Sequence, residues 1–396
     1  MVSSYVIVLM VMTLYGGGRA QELADAVLST VPNNKMDLVD NGLTDTELIM
    51  AFVVFRHGDR TPDQEELDKF PGDHNYDNIF FPYGKKALTN KGKQRGFRVG
   101  EFLRKRYNNI LLSKLYLPDE ISVRTTDYAR TKMTALTALA AMFPPPIAQR
   151  WNPFLNWQPV PYNTEPQEDD DLLYYYNCPR YLRLREKVYA LPEILELRKP
   201  YESLFKYLTL KTGTNITTLE DVFYLDNLFQ TLGNVGVKTP AWAQEVMPEI
   251  KQITKLEYAC QFYDSELIRL STGILLADIL NATSAAMTED REQPNLQLIS
   301  AHENNVAALM AAVGVFEPHQ PKYGSTILLE FRKRLSTGQY GFTAVYAADA
   351  GGPGVALPIS GCGGESFCDY DTFVNLTKEN VLSRSEYKEQ CAILDR

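Results

Sequence analysis

The sequence LIMAFVVFRHGDRTP, at residues 48–62, joins an apolar segment to a polar one and indicates the class of fold. Its first part, Leu48–Phe55, is an unbroken apolar run rich in Val and Phe. Such a run predicts a strand that is buried on both faces, as in a sheet covered by helices. Its second part, Arg56–Arg60, is polar and contains a glycine, and Pro62 ends the segment. In open α/β sheets a turn of this kind lies at the carboxyl edge, where ligands bind.

The composition of the chain is ordinary for a globular protein and limits the classes of partner. The chain has 396 residues, of which 45% are hydrophobic and 22% charged, and its formal net charge is -9. This length allows about two or three domains. Nucleic-acid binders normally carry a basic face, and none is apparent in this acidic sequence, so we expect no nucleic-acid partner.

The N-terminus and the sequons indicate secretion. Residues 1–20 resemble a signal peptide, with an apolar stretch at Tyr5–Leu14 and a small-x-small cleavage site at Gly18–Ala20. We find no other stretch long and apolar enough to cross a membrane, and therefore expect an extracellular protein without a membrane anchor. The candidate glycosylation sites are Asn215, Asn281 and Asn375.

The chain contains 5 cysteines. In an oxidising compartment four of them could pair, which would leave one over. The disulfide candidates are Cys178, Cys391, Cys362 and Cys368. Cys362 and Cys368 flank a Gly-rich loop and form the easiest local pair. Cys260 lies in a stretch with helical character, and we expect it to be a buried free thiol.

The order of the predicted elements after the first strand indicates an α/β fold. A helix runs from Thr89 to Tyr107, Glu120–Thr126 reads as a strand, and a further helix covers Tyr128–Phe143. Strands and helices in alternation are typical of a parallel sheet. The middle of the chain is instead mostly helical in period. Sheet character returns in the segments Leu296–Ser300, Thr326–Leu335 and Gly341–Ala348, with a helix at Val306–Val313 between the first two.

Three polar clusters each follow an apolar strand, at Arg56–Arg60, Arg124–Arg130 and His302–Glu303. In a doubly wound sheet these three strand ends could lie side by side, so that their side chains converge. Arginine suits planar, bidentate binding of oxyanions such as phosphate. A neutral imidazole can act as a nucleophile, and a carboxylic acid can protonate a leaving group. The clusters therefore predict a phosphate pocket.

Other chemistries fit this sequence less well. His302–Val306 begins like the zinc motif H-E-x-x-H but lacks its second histidine, and the whole chain has 4 histidines, so we expect neither a metal nor another cofactor. No cysteine is followed six residues later by an arginine. Asp369–Asp371 resembles an aspartate-phosphatase motif but follows a polar loop, so we interpret it as a helix start. His74 and His319 lie in Pro-rich loops and are expected at the surface.

The segment RHGDRTP at residues 56–62, with the downstream His-Glu pair at 302–303, resembles the histidine acid phosphatases, the histidine phosphatase branch with an RHGxRxP motif. The resemblance covers nearly the whole chain after the signal. It includes SVRTTDYARTKM at 122–133, AAMFPPP at 140–146 and NWQPVP at 156–161. In these details the chain looks closest to secreted insect enzymes of the venom acid phosphatase type.

The resemblance implies a role for each residue of the pocket. His57 would be the nucleophile that becomes a phosphohistidine, and Glu303 the general acid that protonates the leaving alcohol. Most animal relatives carry Asp where this chain has Glu303, which is one methylene longer. The residues implied in phosphate binding are Arg56, Arg60, Arg130 and His302, the last of them protonated.

We therefore predict a histidine phosphatase-like three-layer α/β/α sandwich. Residues 44–150 and 290–396 would form its catalytic domain, and residues 151–289 an inserted, mainly helical cap domain. The predicted function is a secreted acid phosphatase acting on small-molecule phosphate monoesters or phosphoproteins, with a homodimer as one possible state. Two alternatives stay open: a phytase-like inositol polyphosphate phosphatase, and a weakly active secreted protein, such as a venom component, that binds phosphate.

Overall fold

The computed structural model describes residues 43–72, 76–288 and 293–393, so the expected signal peptide and His74 lie outside it. The described strands form one 8-stranded sheet in the order β3-β2-β4-β1-β5-β6-β7, with β8 paired to β6. The strands are β1 Thr46–Arg56, β2 Ile121–Thr125, β3 Asn163–Thr164, β4 Leu296–Ala301, β5 Thr326–Arg334, β6 Tyr340–Ala347, β7 Val355–Leu357 and β8 Cys368–Asp369.

The helices form two groups according to their position in the chain. Those of the first and last parts of the chain are α1 Gln64–Leu67, α2 Tyr76–Phe80, α3 Asn90–Tyr107, α4 Ala129–Met142, α12 Glu303–Ala312, α13 Tyr370–Thr377 and α14 Arg384–Ala392. Those of the middle are α5 Pro179–Tyr189, α6 Pro192–Arg198, α7 Glu202–Thr212, α8 Leu219–Gly233, α9 Ala241–Glu245, α10 Met247–Gln261 and α11 Ser265–Met287. Short 3-10 turns lie at 147–149, 167–169, 175–177, 199–201 and 378–380.

Strand β1 is central and is buried on both faces, as its apolar run predicts. It pairs parallel with β4 and antiparallel with β5, so the sheet is mixed rather than purely parallel. Successive side chains of a strand point to opposite faces. The two faces of β1 accordingly carry Met50, Phe52 and Val54 on one side and Ala51, Val53 and Phe55 on the other.

Helices cover both faces of the sheet. The long helices α3 and α4 pack on the face of Val53, where Val99, Leu103 and Leu139 fill the core. Helices α11, α12 and α13 pack on the opposite face, where Phe52 lies. The prediction of an α/β/α sandwich is therefore confirmed.

Helix α11 corrects one statement made from the sequence. Ser265–Met287 is long and apolar enough to cross a membrane by length and composition, with a mean hydropathy of 1.3. In the structure this helix is a core element. Its first half, with Leu267 and Leu270, packs among the middle helices. Its second half, with Leu276 and Ile279, packs over the sheet. The core helix of a soluble protein passes the same test as a membrane span.

The helices of the middle segment share a core of their own, which includes Leu225, Leu228 and Leu256. Helices α11 and α12 each contribute to this core and to the core over the sheet, so these two helices join the two cores. The division at residue 289 stays a prediction.

Both pairs of disulfide candidates are joined. Cys178, just before α5, pairs with Cys391 of α14 across a sequence separation of 213 residues. Cys362 pairs locally with Cys368. Cys260 is free and buried, as expected. The first bond holds the last described helix against the middle segment.

Candidate active site

The loop after β1 is fixed by its own backbone and by α4. The His57 N–H donates to the Ala301 carbonyl at 3.0 Å, which continues the pairing with β4 by one residue. The Gly58 N–H donates to Thr134 Oγ at 3.1 Å. A Cβ atom on Gly58 would lie 2.1 Å from the carbonyl oxygen of Gly92, so only glycine lets the loop approach α3 this closely. The loop therefore has one tightly determined path.

That path sets the orientation of the His57 ring. Its Nδ1 lies 2.8 Å from the Gly58 carbonyl oxygen, which can only accept, so Nδ1 carries the proton. Nε2 is then left with a lone pair. The Nε–H of Arg130 donates to this atom at 3.2 Å. The side chain of His57 is 1% exposed, and its unprotonated nitrogen faces Arg130.

Arg56 is held on three sides. Its Nη1 donates to the Pro321 carbonyl at 2.6 Å, and its Cζ lies 4.0 Å from the centre of the Tyr323 ring. Its Nε lies 2.9 Å from Oε2 of Glu303. These contacts leave the guanidinium plane little freedom, because hydrogen bonds and ring stacking constrain different directions.

Arg60 and Arg130 are also oriented by partners. Arg60 forms a two-pronged ion pair with Glu66, with Nη2–Oε1 at 2.5 Å and Nη1–Oε2 at 2.8 Å. The Arg130 guanidinium lies 4.2 Å from the centre of the Tyr128 ring. The charges of Arg56, Arg60 and Arg130 all act on the His57 ring and lower its pKa, so the three guanidinium groups lie around it, as the predicted clusters suggest.

The third polar cluster, His302 and Glu303, lies at the start of α12. His302 is the N-cap of this helix, and its Nε2 lies 3.0 Å from Thr126 Oγ. Its ring centre is 5.4 Å from that of His57. Oε2 of Glu303 lies 4.0 Å from His57 Nε2. The structure thus brings together all six residues proposed for the site: Arg56, His57, Arg60, Arg130, His302 and Glu303.

Ligand atoms of His57, His302 and Glu303 lie within 4.8 Å of one another, a spacing that could hold a metal ion. The surroundings favour the opposite charge. Two buried arginines contact this trio directly, since Arg56 pairs with Glu303 and Arg130 donates to His57. A fixed cluster of cations attracts an oxyanion and repels a metal ion.

Comparison with known proteins assigns the family. Residues 47–345 match the Histidine phosphatase superfamily (branch 2). The chain belongs to this family.

Relatives of this histidine phosphatase cover most of its length. It is 32% identical to the prostatic acid phosphatase of Bos taurus over 90% of each chain. It is 30% identical to the venom acid phosphatase Acph-1 of Apis mellifera, over 86% of this chain and 87% of that one. These matches confirm the predicted acid phosphatase class.

The fold is shared more widely. The apo Hafnia alvei phytase superposes with a TM-score of 0.65 at 16% identity, covering 89% of this chain and 99% of that chain. At this identity the likeness concerns the fold alone.

Burial and the neighbouring arginines control protonation in this histidine phosphatase. Burial, and then the charge of Arg130, hold the pKa of His57 well below its ordinary value of 6.5. Burial and Arg130 also lower the pKa of His302 well below 6.5, which is opposite to the protonated state that the resemblance implies. The physical reason is that cations and a dry environment both disfavour an added positive charge.

Several polar residues that the sequence singled out lie away from the phosphate cluster. Arg124 pairs with Asp170 at 2.9 Å. Asp59 is buried and accepts a hydrogen bond from Arg95 Nη2 at 3.2 Å, so it braces the loop against α3. Asp369 caps α13, which agrees with its interpretation as a helix start.

His319 is half-buried rather than exposed, which corrects that expectation. Its Nε2 lies 3.0 Å from the Tyr346 hydroxyl, and its ring packs against Phe316. A Pro-rich loop looks polar and irregular in sequence, but this one folds back over β6.

Sequence reasoning missed the residues that hold the arginines. Glu66 lies only six positions after Arg60, and its place in α1 was a detectable signal, because Asp63 and Glu66 form a capping box. Tyr323 lies far along the chain from Arg56, in a loop without regular structure. No local pattern links these two residues.

Proposed function

We propose that this protein hydrolyses phosphate monoesters by transferring the phosphoryl group to His57 and then to water. The observation that carries the proposal is the position of His57 Nε2. This atom bears a lone pair, receives a hydrogen bond from Arg130 at 3.2 Å, and lies 4.0 Å from the Glu303 carboxylate. A nucleophile, an oxyanion binder and a proton donor therefore share one small space.

The first step forms a bond from Nε2 to phosphorus and breaks the bond from phosphorus to the ester oxygen. The guanidinium groups of Arg56, Arg60 and Arg130 balance the charge that spreads over the phosphoryl oxygens. Glu303, protonated, gives its proton to the departing oxygen, which leaves as an alcohol. The Glu303 carboxylate then accepts a proton from water, whose oxygen attacks phosphorus and displaces His57.

The pKa of His57 supports activity at acid pH. An ordinary histidine becomes protonated, and loses its nucleophilic lone pair, as the pH falls below about 6.5. The pKa of His57 is lowered well below this value by burial and by the arginines, so the ring stays neutral under mildly acidic conditions. In the first step the nucleophile must therefore be neutral, and the lowered pKa of His57 meets this requirement.

The charges beside the site support a substrate with a single phosphate rather than a polyphosphate. A phytase-like enzyme would need additional cations free to bind further phosphates. Here the neighbouring cations are paired: Lys91 lies 3.2 Å from Asp59, Arg124 lies 2.9 Å from Asp170, and Lys132 pairs with Asp127.

The test is hydrolysis of an aryl phosphate, measured against pH with and without a chelator. We expect turnover that rises toward acid pH and is insensitive to the chelator. His57→Ala should abolish turnover and the trapping of a labelled phosphoenzyme. Substantial activity in this variant would overturn the mechanism.

A parallel assay with inositol hexakisphosphate separates the alternatives. Comparable kcat/KM on both substrates would favour the phytase-like function. Poor activity on both, restored by Glu303→Asp, would favour a weakly active phosphate-binding protein.

The relatives also bear on the location of the protein relative to the cell. The similar proteins include venom, prostatic and lysosomal acid phosphatases, which indicates secretion or the lumenal side of a membrane system. We propose secretion, on the strength of the signal-like residues 1–20 and of Asn215, Asn281 and Asn375. All three asparagine side chains are exposed.

A further inference from the structure

We propose that Gln320 is a positioning residue that fixes Arg56 by anchoring its loop to helix α8 of the middle segment. The proposal rests on the proposed function, in which Arg56 binds the phosphoryl group. Gln320 lies between the end of α12 at Ala312 and the start of β5 at Thr326. It is not one of the residues that the resemblance assigns to the site.

Both ends of the Gln320 amide are held by one face of α8. Its Nε2 donates to Oδ1 of Asn227 at 2.7 Å, and its Oε1 accepts from Nε2 of Gln230 at 2.7 Å. Asn227 and Gln230 are three positions apart on the helix and therefore neighbours on its surface. We call this three-residue arrangement the amide clamp.

The residues directly after Gln320 contact the machinery of the site. The Pro321 carbonyl accepts the 2.6 Å hydrogen bond from Arg56 Nη1, and the Tyr323 ring stacks on the same guanidinium. The Gly324 N–H donates to the His57 carbonyl at 3.2 Å. Any displacement of this loop therefore moves the two groups that set the plane of Arg56.

The loop that contains Gln320 has no regular secondary structure, and the clamp supplies contacts that hold it in place. Residues 313–325 lie outside helices and strands, and a connection of this length is ordered only where specific contacts hold it. Asn227 is 3% exposed, and a buried amide that loses its partner is costly. Replacing the clamp by apolar side chains would leave α8 packed through its leucines but would remove the hydrogen bonds that tie the loop to this helix.

The C-terminal end of α8 also contacts the loop that carries Arg60. Asn234, the C-cap of α8, donates from Nδ2 to the Arg60 carbonyl at 3.0 Å. Helix α8 therefore contacts both arginine-bearing parts of the site, one through Gln320 and one directly. The middle segment acts as a brace for the arginines.

The experiment compares Gln320→Met, which keeps length but removes both hydrogen bonds, with Gln244→Met. Gln244 is an exposed glutamine of the middle segment that donates to the Thr239 carbonyl at 2.7 Å, so it is a matched control. We expect Gln320→Met to lower kcat/KM for an aryl phosphate by about 10- to 100-fold. The inhibition constant of inorganic phosphate should rise in parallel, while the pH profile keeps its shape.

Gln244→Met and the unmodified protein report on the proposed function itself. If both hydrolyse the aryl phosphate, a failure of the clamp is distinguishable from a failure of that function. All measurements are made well below the unfolding midpoint of each variant, so that a loss of stability alone changes neither constant. A folded Gln320→Met variant with unchanged kcat/KM and unchanged phosphate inhibition would overturn the proposal.

Gln230→Met, at a half-buried helix position, keeps the proposal testable if Gln320→Met does not fold. It removes one of the two hydrogen bonds, so we expect a smaller loss of kcat/KM in the same direction. In the double variant the losses should not add, because both substitutions remove the same contact. Additive losses, or no loss with Gln230→Met, would contradict the clamp.

Discussion

Arg60 depends on Glu66 for its place in the site. Both side chains are buried, at 4% and 1% exposed, and they pair through two hydrogen bonds. Removing one partner of a buried ion pair strands the other charge, which typically costs about 3–5 kcal/mol. The residue that orients Arg60, a proposed phosphate ligand, therefore also stabilises the fold.

We predict that Glu66→Gln lowers the free energy of unfolding by about 3 kcal/mol and raises KM for an aryl phosphate. Urea denaturation and steady-state kinetics measure the two effects. Glu65→Gln is the control, because the neighbouring carboxylate is exposed and lies 4.0 Å from Lys86. Equal effects from the two substitutions would contradict the role of Glu66.

Glu303 is the proposed general acid, and its Oε2 lies 4.0 Å from His57 Nε2. We predict that Glu303→Gln lowers kcat/KM, which reports on the first step alone, by about 10²–10⁴-fold for an alkyl phosphate, whose leaving group needs the proton. The loss should be much smaller for a 4-nitrophenyl ester, whose leaving group departs readily as an anion. Kinetics on both esters make the test, with Glu317→Gln as the surface control. An equal loss on both esters would argue against Glu303 as the acid.

At the scale of single residues, the sequence predicts the residues of the candidate site better than the residues that hold them in position. The motif at 56–62, the segment at 122–133 and the pair at 302–303 contain all six residues that the structure gathers. The residues that hold them, Glu66, Tyr323 and Gln320, were missed. Tyr323 and Gln320 act across large sequence separations, and neither periodicity nor spacing records such contacts.

Helices α3 and α4 cross at the smallest side chains available. A Cβ on Gly100 of α3 would lie 2.1 Å from the Ala138 carbonyl oxygen of α4. Helix α4 carries Arg130 near its start and Thr134, which holds the loop at Gly58. The distance between these helices therefore sets where Arg130 meets His57.

We predict that Gly100→Ala destabilises the protein by about 1–3 kcal/mol through overpacking and reduces kcat/KM as α4 shifts. The control is Gly233→Ala at the end of α8, where an added Cβ meets nothing within 4 Å. There the higher helix propensity of alanine should leave stability unchanged or raise it by up to about 1 kcal/mol. Thermal unfolding and kinetics compare the two variants, and equal behaviour would refute the packing argument.

Elements of strong periodicity were predicted well. The sequence places β1 at Leu48–Phe55 and the structure at Thr46–Arg56, because a long apolar run has few alternatives. The helix predicted at Val306–Val313 begins three residues earlier, at Glu303. Its N-cap is a histidine, a residue type that gives no ordinary capping signal.

Three of the histidines that the structure describes have neutral forms favoured by the fold. The pKa values of His57, His302 and His319 are lowered from 6.5, mainly by burial. Below about pH 6.5 the unfolded chain therefore binds protons that the folded protein does not. Stability rises with pH wherever the unfolded state binds more protons.

We predict that the free energy of unfolding falls as the pH decreases from about 7 to about 5.5, by up to roughly 1.4 kcal/mol per pH unit for each such histidine. The fall should level off once the pH passes below the folded-state pKa values. Denaturation at several pH values measures the slope. His57→Gln removes one of the three groups and should flatten the slope, and an unchanged slope would contradict the assignment.

Whole-molecule organisation was only partly readable from the sequence. The sandwich and the helical middle segment follow from the order of patterns along the chain. The packing of α11 in both cores does not follow from this order. Its apolar residues lie all around the helix, so the pattern does not indicate which elements the helix packs against. The homodimer implied by the resemblance stays a prediction, which sedimentation would test.

The position of β1 in the sheet has a consequence for biosynthesis. This 11-residue strand is made early, yet its neighbours β4 and β5 begin at Leu296 and Thr326. While the ribosome makes the intervening residues, β1 has two unsatisfied edges and two apolar faces, the features that promote aggregation. A nascent chain released before β5 would therefore hold His57 on a strand without its sheet. Such a product would be a client for chaperones and degradation rather than a partly active enzyme.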